Sequence, residues 1–207
     1  MSPQDLHQKA AEDLRFIRET MNRSATFTDV PGKHLMVIGA WAVAVSLVLS
    51  FSSGIWPLAW HSTWILTAFL AISYGLTGMI RKAKAAQHPI GAGAFRKFVI
   101  GLTPALFAGL IFTAALLQDG TYYDKPASVT PLLTLSLPAL WLVLYGVAIV
   151  SASANSIRIL TWMGLCFMTL GTVSLVAPAL TPNLLMGLGF GGFHLIFGWI
   201  IARQHGG

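Results

Sequence analysis

From Lys33 onward the chain alternates long apolar runs with short polar breaks. Six runs, at about 35–53, 58–80, 95–117, 131–152, 157–178 and 182–202, each approach the ~20 residues an α-helix needs to cross a hydrocarbon core. The first two are joined by a short Ser-Gly-Ile-Trp-Pro link. Thr-Pro pairs at Thr130-Pro131 and Thr181-Pro182 predict helices capped by threonine with proline at the first position. Thr103-Pro104 lies inside the third run, after Arg96 and Lys97, and predicts a kink or an interfacial turn before that span. The expected fold is all-α, an integral membrane bundle of six transmembrane helices spanning residues 34–207.

The first 33 residues follow another pattern. Leu6, Ala10, Leu14, Ile17 and Met21 recur at helical spacing between charged positions. Ser2 is a plausible N-cap with Pro3 behind it, and Asp5/Lys9 and Glu19/Arg23 are i,i+4 pairs with the acid first. These features predict an amphipathic, non-spanning N-terminal helix, followed by a turn over residues 24–33. Both charge signs interrupt the segment, unlike the apolar core of a secretory signal. Its apolar stripe, chiefly Leu6, Leu14, Ile17 and Met21, is the candidate surface for docking a cytoplasmic or membrane protein partner. Rest on the chain's own membrane surface is the competing reading.

Composition agrees with the pattern. The 207 residues are 55% hydrophobic and 10% charged, with mean hydropathy +0.70, too little polar surface for a soluble globule of this size. The single cysteine, Cys166, excludes an internal disulfide framework. The net charge of +6 is a matter of topology. Every Lys and Arg except Lys125 falls on one face once six spans are drawn, as the positive-inside rule requires of cytoplasmic N- and C-termini in a bacterial inner membrane. Anionic headgroups are the expected partners of that face, and nucleic acid is not needed to explain it. On the opposite face Trp56, Trp60, Trp64, Tyr122 and Tyr123 suit an interfacial aromatic belt. The loop from about Gln118 to Val129 reads as a solvated hairpin.

Within the spans the most specific pattern is in the last. Gly187, Gly191, His194 and Gly198 follow i, i+4, i+7, i+11 and fall on one stripe of a helix, opposite Leu185, Leu188, Ile196, Trp199 and Ile200. The stripe predicts a helix-packing face, compatible with a homo-oligomer as well as a closed monomer, and turns His194 into the bundle. All carboxylates lie outside the spans, and every Lys and Arg lies outside them or within the first three residues of one, which argues against proton-coupled transport through carboxylates or a voltage sensor. His194 is then the best candidate to bind a cofactor, although the spacing specifies none and predicts no metal site. A bis-histidine haem would pair it with His61, offset by roughly 10–15 Å in depth at ~1.5 Å per residue, too far for one iron. A neutral imidazole bonded to a neighbouring helix's hydroxyl or carbonyl is the simpler expectation. Gly187-Leu-Gly-Phe-Gly-Gly192 matches a dinucleotide fingerprint only as text, because no strand precedes it.

Three resemblances bear on function. Six spans with a glycine-flanked histidine in the sixth resemble a rhomboid intramembrane protease, which implies a Gly-x-Ser-Gly nucleophile in span four and a long first outer loop. Ser136 in span four lacks those glycines and the loop is a few residues, so no catalytic role carries over. Leu102–Phe112 resembles Leu180–Phe190, as a three-plus-three inverted repeat would produce, but the other spans are not spaced to match. The stretches Glu12-Asp-Leu-Arg-Phe-Ile-Arg-Glu-Thr-Met21 and Phe193-His-Leu-Ile-Phe-Gly198 with Ile-Ala-Arg203 resemble small bacterial polytopic membrane proteins to which no activity attaches. The reading that results is a non-enzymatic sensor, regulator or accessory subunit docking through its N-terminal helix. The alternatives are a small-solute channel or carrier between spans three and six, and a haem or quinone redox subunit.

Overall fold

The computed structural model describes residues 3–24, 26–52, 57–87, 93–118, 130–176 and 180–205. The sequence-predicted features at Trp56, in the 119–129 loop and in the side chains of Leu6 and Met21 lie outside what it describes. Among the described residues seven helices follow in order: α1 (Pro3–Ser24), α2 (Gly32–Phe51), α3 (Pro57–Ala85), α4 (Ala94–Gln118), α5 (Thr130–Ser153), α6 (Ile159–Val176) and α7 (Pro182–His205). Helices α2 to α7 are each long and apolar enough to cross a membrane, and the protein is an all-helical membrane bundle.

Helix α7 starts as its sequence predicts. Thr181 is its N-cap, with the hydroxyl accepting from the Leu184 amide at 3.3 Å and Pro182 in the first turn. Helix α4 continues through Pro104, without the separate interfacial turn that is one of the two expectations there. The lost amide lies well inside a helix whose other backbone bonds are satisfied internally, so no separate interfacial turn forms.

Close approach of small residues decides which helices pair. Along α2, Gly32, Leu35, Gly39, Ala42, Ser46 and Leu49 are buried at alternating steps of three and four, the seam of an antiparallel coiled coil. The opposing surface is α7. A Cβ placed on Gly39 would sit 2.8 Å from the Gly191 carbonyl oxygen, and one on Gly198 would sit 2.9 Å from that of Gly32. The first span is thus locked to the last. Helices α5 and α6 meet as closely, with a Cβ on Gly146 falling 2.6 Å from the Gly164 oxygen and one on Gly171 falling 2.7 Å from that of Ala139. Helix α4 packs on α5, with Gly101 against Ala152, and α3 leans on α2. The two halves are therefore not equivalent: α6 lies along α5, whereas α3 only grazes α2. An inverted repeat would give these hairpins the same packing.

The segment after α1 is more than a turn. Phe27 and Val30 are 3% and 1% exposed, and Asp29 is buried with them. Phe27 packs against Phe95 and Phe98 of α4 with ring centroids 5.4 and 5.0 Å away. Its amide donates to the Asn155 carbonyl at 2.8 Å, and the Ser156 hydroxyl donates back to its carbonyl at 2.6 Å. The Lys82 ammonium donates to the Val30 carbonyl at 3.1 Å and to the His205 carbonyl at 2.8 Å. This strap ties α3, α4, the α5–α6 turn and the C-terminus together beneath the bundle, at the end where α1 leaves it.

Candidate functional site

The wide turn in α7 positions His194. Residues Gly187–Phe193, of sequence Gly-Leu-Gly-Phe-Gly-Gly-Phe, form a π-helix inside an otherwise α-helical span. A π turn takes in an extra residue and advances the downstream face by about 100° of α-helical rotation, and glycine tolerates the altered backbone. The stripe drawn on an ideal helix is divided between two neighbours. Gly187, Gly191 and Gly198 meet α2, where a Cβ at each would strike Ser46, Val43 and the Gly32 carbonyl. His194 turns instead to α5 and α6. Leu185, drawn on the outer side by the same ideal wheel, is fully buried, whereas Leu188, Ile196 and Trp199 stay exposed.

His194 is 3% exposed. Its Nε2 lies 2.8 Å from the Tyr145 hydroxyl of α5, and Phe167 of α6, Phe190 and Tyr145 surround the ring with centroids 5.6, 6.2 and 5.5 Å away. The other nitrogen, Nδ1, is buried with no hydrogen-bond partner among the described residues. Nε2 is therefore committed to a phenol, and an iron could take it only by breaking that pair. Among the described residues no group of three or more His, Cys, Asp or Glu side chains is placed to hold a metal. The pair can fasten α7 to α5 through a hydrogen bond that lipid cannot replace.

A second polar cluster lies at the opposite end of the bundle from the strap. The Trp60 indole donates to the Asn183 side-chain oxygen at 2.6 Å, and the Ser46 hydroxyl donates to the Asn183 carbonyl at 2.6 Å. His61 and Trp64 are buried beside them. Trp60 and Trp64 therefore do not form a lipid-facing belt: Trp60 turns to the acceptor that Asn183 offers in the first turn of α7, and Trp64 is buried by packing, its indole Nε1 without a partner among the described residues. Trp141 and Thr113 make a similar link between α5 and α4, at 2.9 Å. Spans three and six, α4 and α7, both lean on α5 rather than pairing with one another among the described residues, which gives no structural support to a solute site between them.

Of the sequence-predicted docking residues, Leu14 and Ile17 are 67% and 53% exposed on α1, which touches the bundle along a slight seam with α4. The strap residues Phe27, Val30 and Lys82 were not singled out by sequence pattern. Gly146, Gly164 and Gly171 were missed as well, although Gly164 and Gly171 share the seven-residue spacing of Gly191 and Gly198. Comparison with models of known protein families, with curated proteins and with solved structures finds no match.

Proposed function

We propose that this is a non-enzymatic six-span protein of a bacterial cytoplasmic membrane, both ends cytoplasmic, acting as a sensor, regulator or accessory subunit that docks a protein partner through α1. One observation carries the reading. Helix α1 holds Leu14 and Ile17 out to solvent while the strap immediately after it is buried, hydrogen-bonded to α3 and to the α5–α6 turn, and packed on α4. A helix resting idly on the surface would need no such fixed exit. A helix whose displacement must be felt by the spans would. The internal pairing of Tyr145 with His194 and of Trp60 with Asn183 leaves these groups working as fasteners, which supports a structural over a catalytic interior. The basic residues flanking the spans support the cytoplasmic placement of both ends.

A photo-crosslinking residue at position 14 or 17 of the full chain in its native membrane tests this directly. A discrete protein adduct is expected at both positions, lost from position 14 in Ile17→Asp and from position 17 in Leu14→Asp while the chain still inserts. Adducts to lipid alone would replace docking by simple surface attachment. Deleting residues 1–23 should likewise remove the partner and spare insertion.

A further inference from the structure

Helices α2 and α3 meet closely only toward one end, and beside that contact Val37, Ile38, Trp41, Leu70, Ala71 and Tyr74 line an open groove of about 300 Å³. Its walls are almost wholly apolar. Its mouth is not. Lys33 lies four residues before Val37 and Arg81 seven after Tyr74, so each stands on the same helical face as one wall of the groove. Both side chains are exposed, and among the described residues neither makes an ion pair. Between them His34 packs over Gly78 and against Tyr74, with ring centroids 4.7 Å apart, and Arg81 is within electrostatic reach of that imidazole. The groove thus runs from hydrocarbon depth to a doubly basic rim.

We infer that this groove seats one acyl chain of an anionic phospholipid, whose headgroup phosphate is held by Lys33 and Arg81. A neighbouring helix is a poorer occupant. Helix association in lipid relies on small residues that let backbones approach, and here bulky Trp41 and Leu70 stand at the rim, 54% and 44% exposed. A zwitterionic lipid would fill the apolar part equally well and offer the same phosphate, but its headgroup cation would be repelled by the two bases, so net charge selects the anionic lipid. The inference depends on the chain spanning a membrane, and on neither its orientation nor the role of α1.

Native mass spectrometry of the full chain, released from micelles holding equal amounts of phosphatidylglycerol and phosphatidylcholine, reads the preference. Wild type should retain one phosphatidylglycerol, and Lys33→Gln and Arg81→Gln should each lower the ratio roughly five-fold, the effect of one basic residue at an anionic surface. Ala71→Phe, which fills the groove, should abolish retention of either lipid. Brominated phosphatidylglycerol should quench tryptophan emission more than the brominated phosphatidylcholine, and Trp41→Phe should erase the difference. Equal retention of the two lipids by wild type, or an unchanged preference in the Lys33→Gln/Arg81→Gln double variant, overturns the assignment. Both charge changes are at exposed positions, so they decide the matter even if Ala71→Phe fails to fold.

Discussion

The α5–α6 and α2–α3 pairs are both hairpins of successive spans, yet they meet in opposite ways. Helix α6 buries Gly164 and Gly171 against the backbone of α5, seven residues apart on one face. Helix α3 offers α2 the glycines Gly75 and Gly78, but what lies over them is side chain: the Ile38 Cδ1 at 3.5 Å and the His34 ring. Backbone against backbone leaves no room and holds the helices together by many weak contacts. Side chain over glycine leaves slack, and the slack is the groove. In lipid, where apolar burial between helices provides little drive, that difference in fit largely decides which pair is scaffold and which is available for a ligand.

The comparison can be broken from its tight end. Gly164→Leu should cost about 3 kcal/mol or more, because the new side chain meets the Gly146 carbonyl oxygen 2.7 Å from its Cβ and neither backbone can withdraw. Unfolding in mixed SDS micelles measures it. Gly191→Leu should come next, at about 2–3 kcal/mol, since the first obstacle there is the Val43 Cγ2 at 2.5 Å, a side chain that can shift before the backbone is reached. His194→Leu removes one hydrogen bond while keeping bulk, and about 1–2 kcal/mol is expected in the same assay. Tyr145→Phe should cost a similar amount, and the double variant hardly more than either alone, because both remove the same bond. A His194→Leu effect larger than that of Gly191→Leu would reverse the order of packing and hydrogen bonding argued here. At the slack end, Gly75→Ala should be neutral or stabilising by up to about 1 kcal/mol, as its Cβ finds ordinary contact and the helix gains propensity. A loss comparable to that of Gly164→Leu would show α2–α3 to be as tight as α5–α6.

The spans were legible in the sequence, because twenty apolar residues between polar breaks have one physical explanation. Capping at Thr181 was legible for the same local reason. What hydropathy does not encode is which face meets which partner. An ideal helix places His194 among the glycines, whereas the fold gives the glycines to α2 and the imidazole to α5 and α6. The inward turn of Trp60 depends on Asn183, far along the chain, so an aromatic near a span end reads the same whether it faces lipid or a neighbour. Phe27 and Val30 were hidden by their surroundings: Thr28, Asp29 and Pro31 carry ordinary turn chemistry, and two apolar residues are too few to show a period. The burial of Asp29 and the bonds from Lys82 come only from the third dimension.

The closure of the first span on the last is the claim on which the rest stands, and trapping it is direct. In a Cys166→Ala background, Ser46→Cys with Gly187→Cys places two Cβ atoms 2.9 Å apart before any relaxation, so a small parting of the two helices brings them to the ~3.5–4.5 Å that a disulfide spans. Mild oxidation in native membranes should join α2 to α7 within one chain, producing a fast-migrating band that a reductant abolishes. Free thiols at both positions after oxidation, or a bond formed only between two copies of the chain, would contradict this architecture.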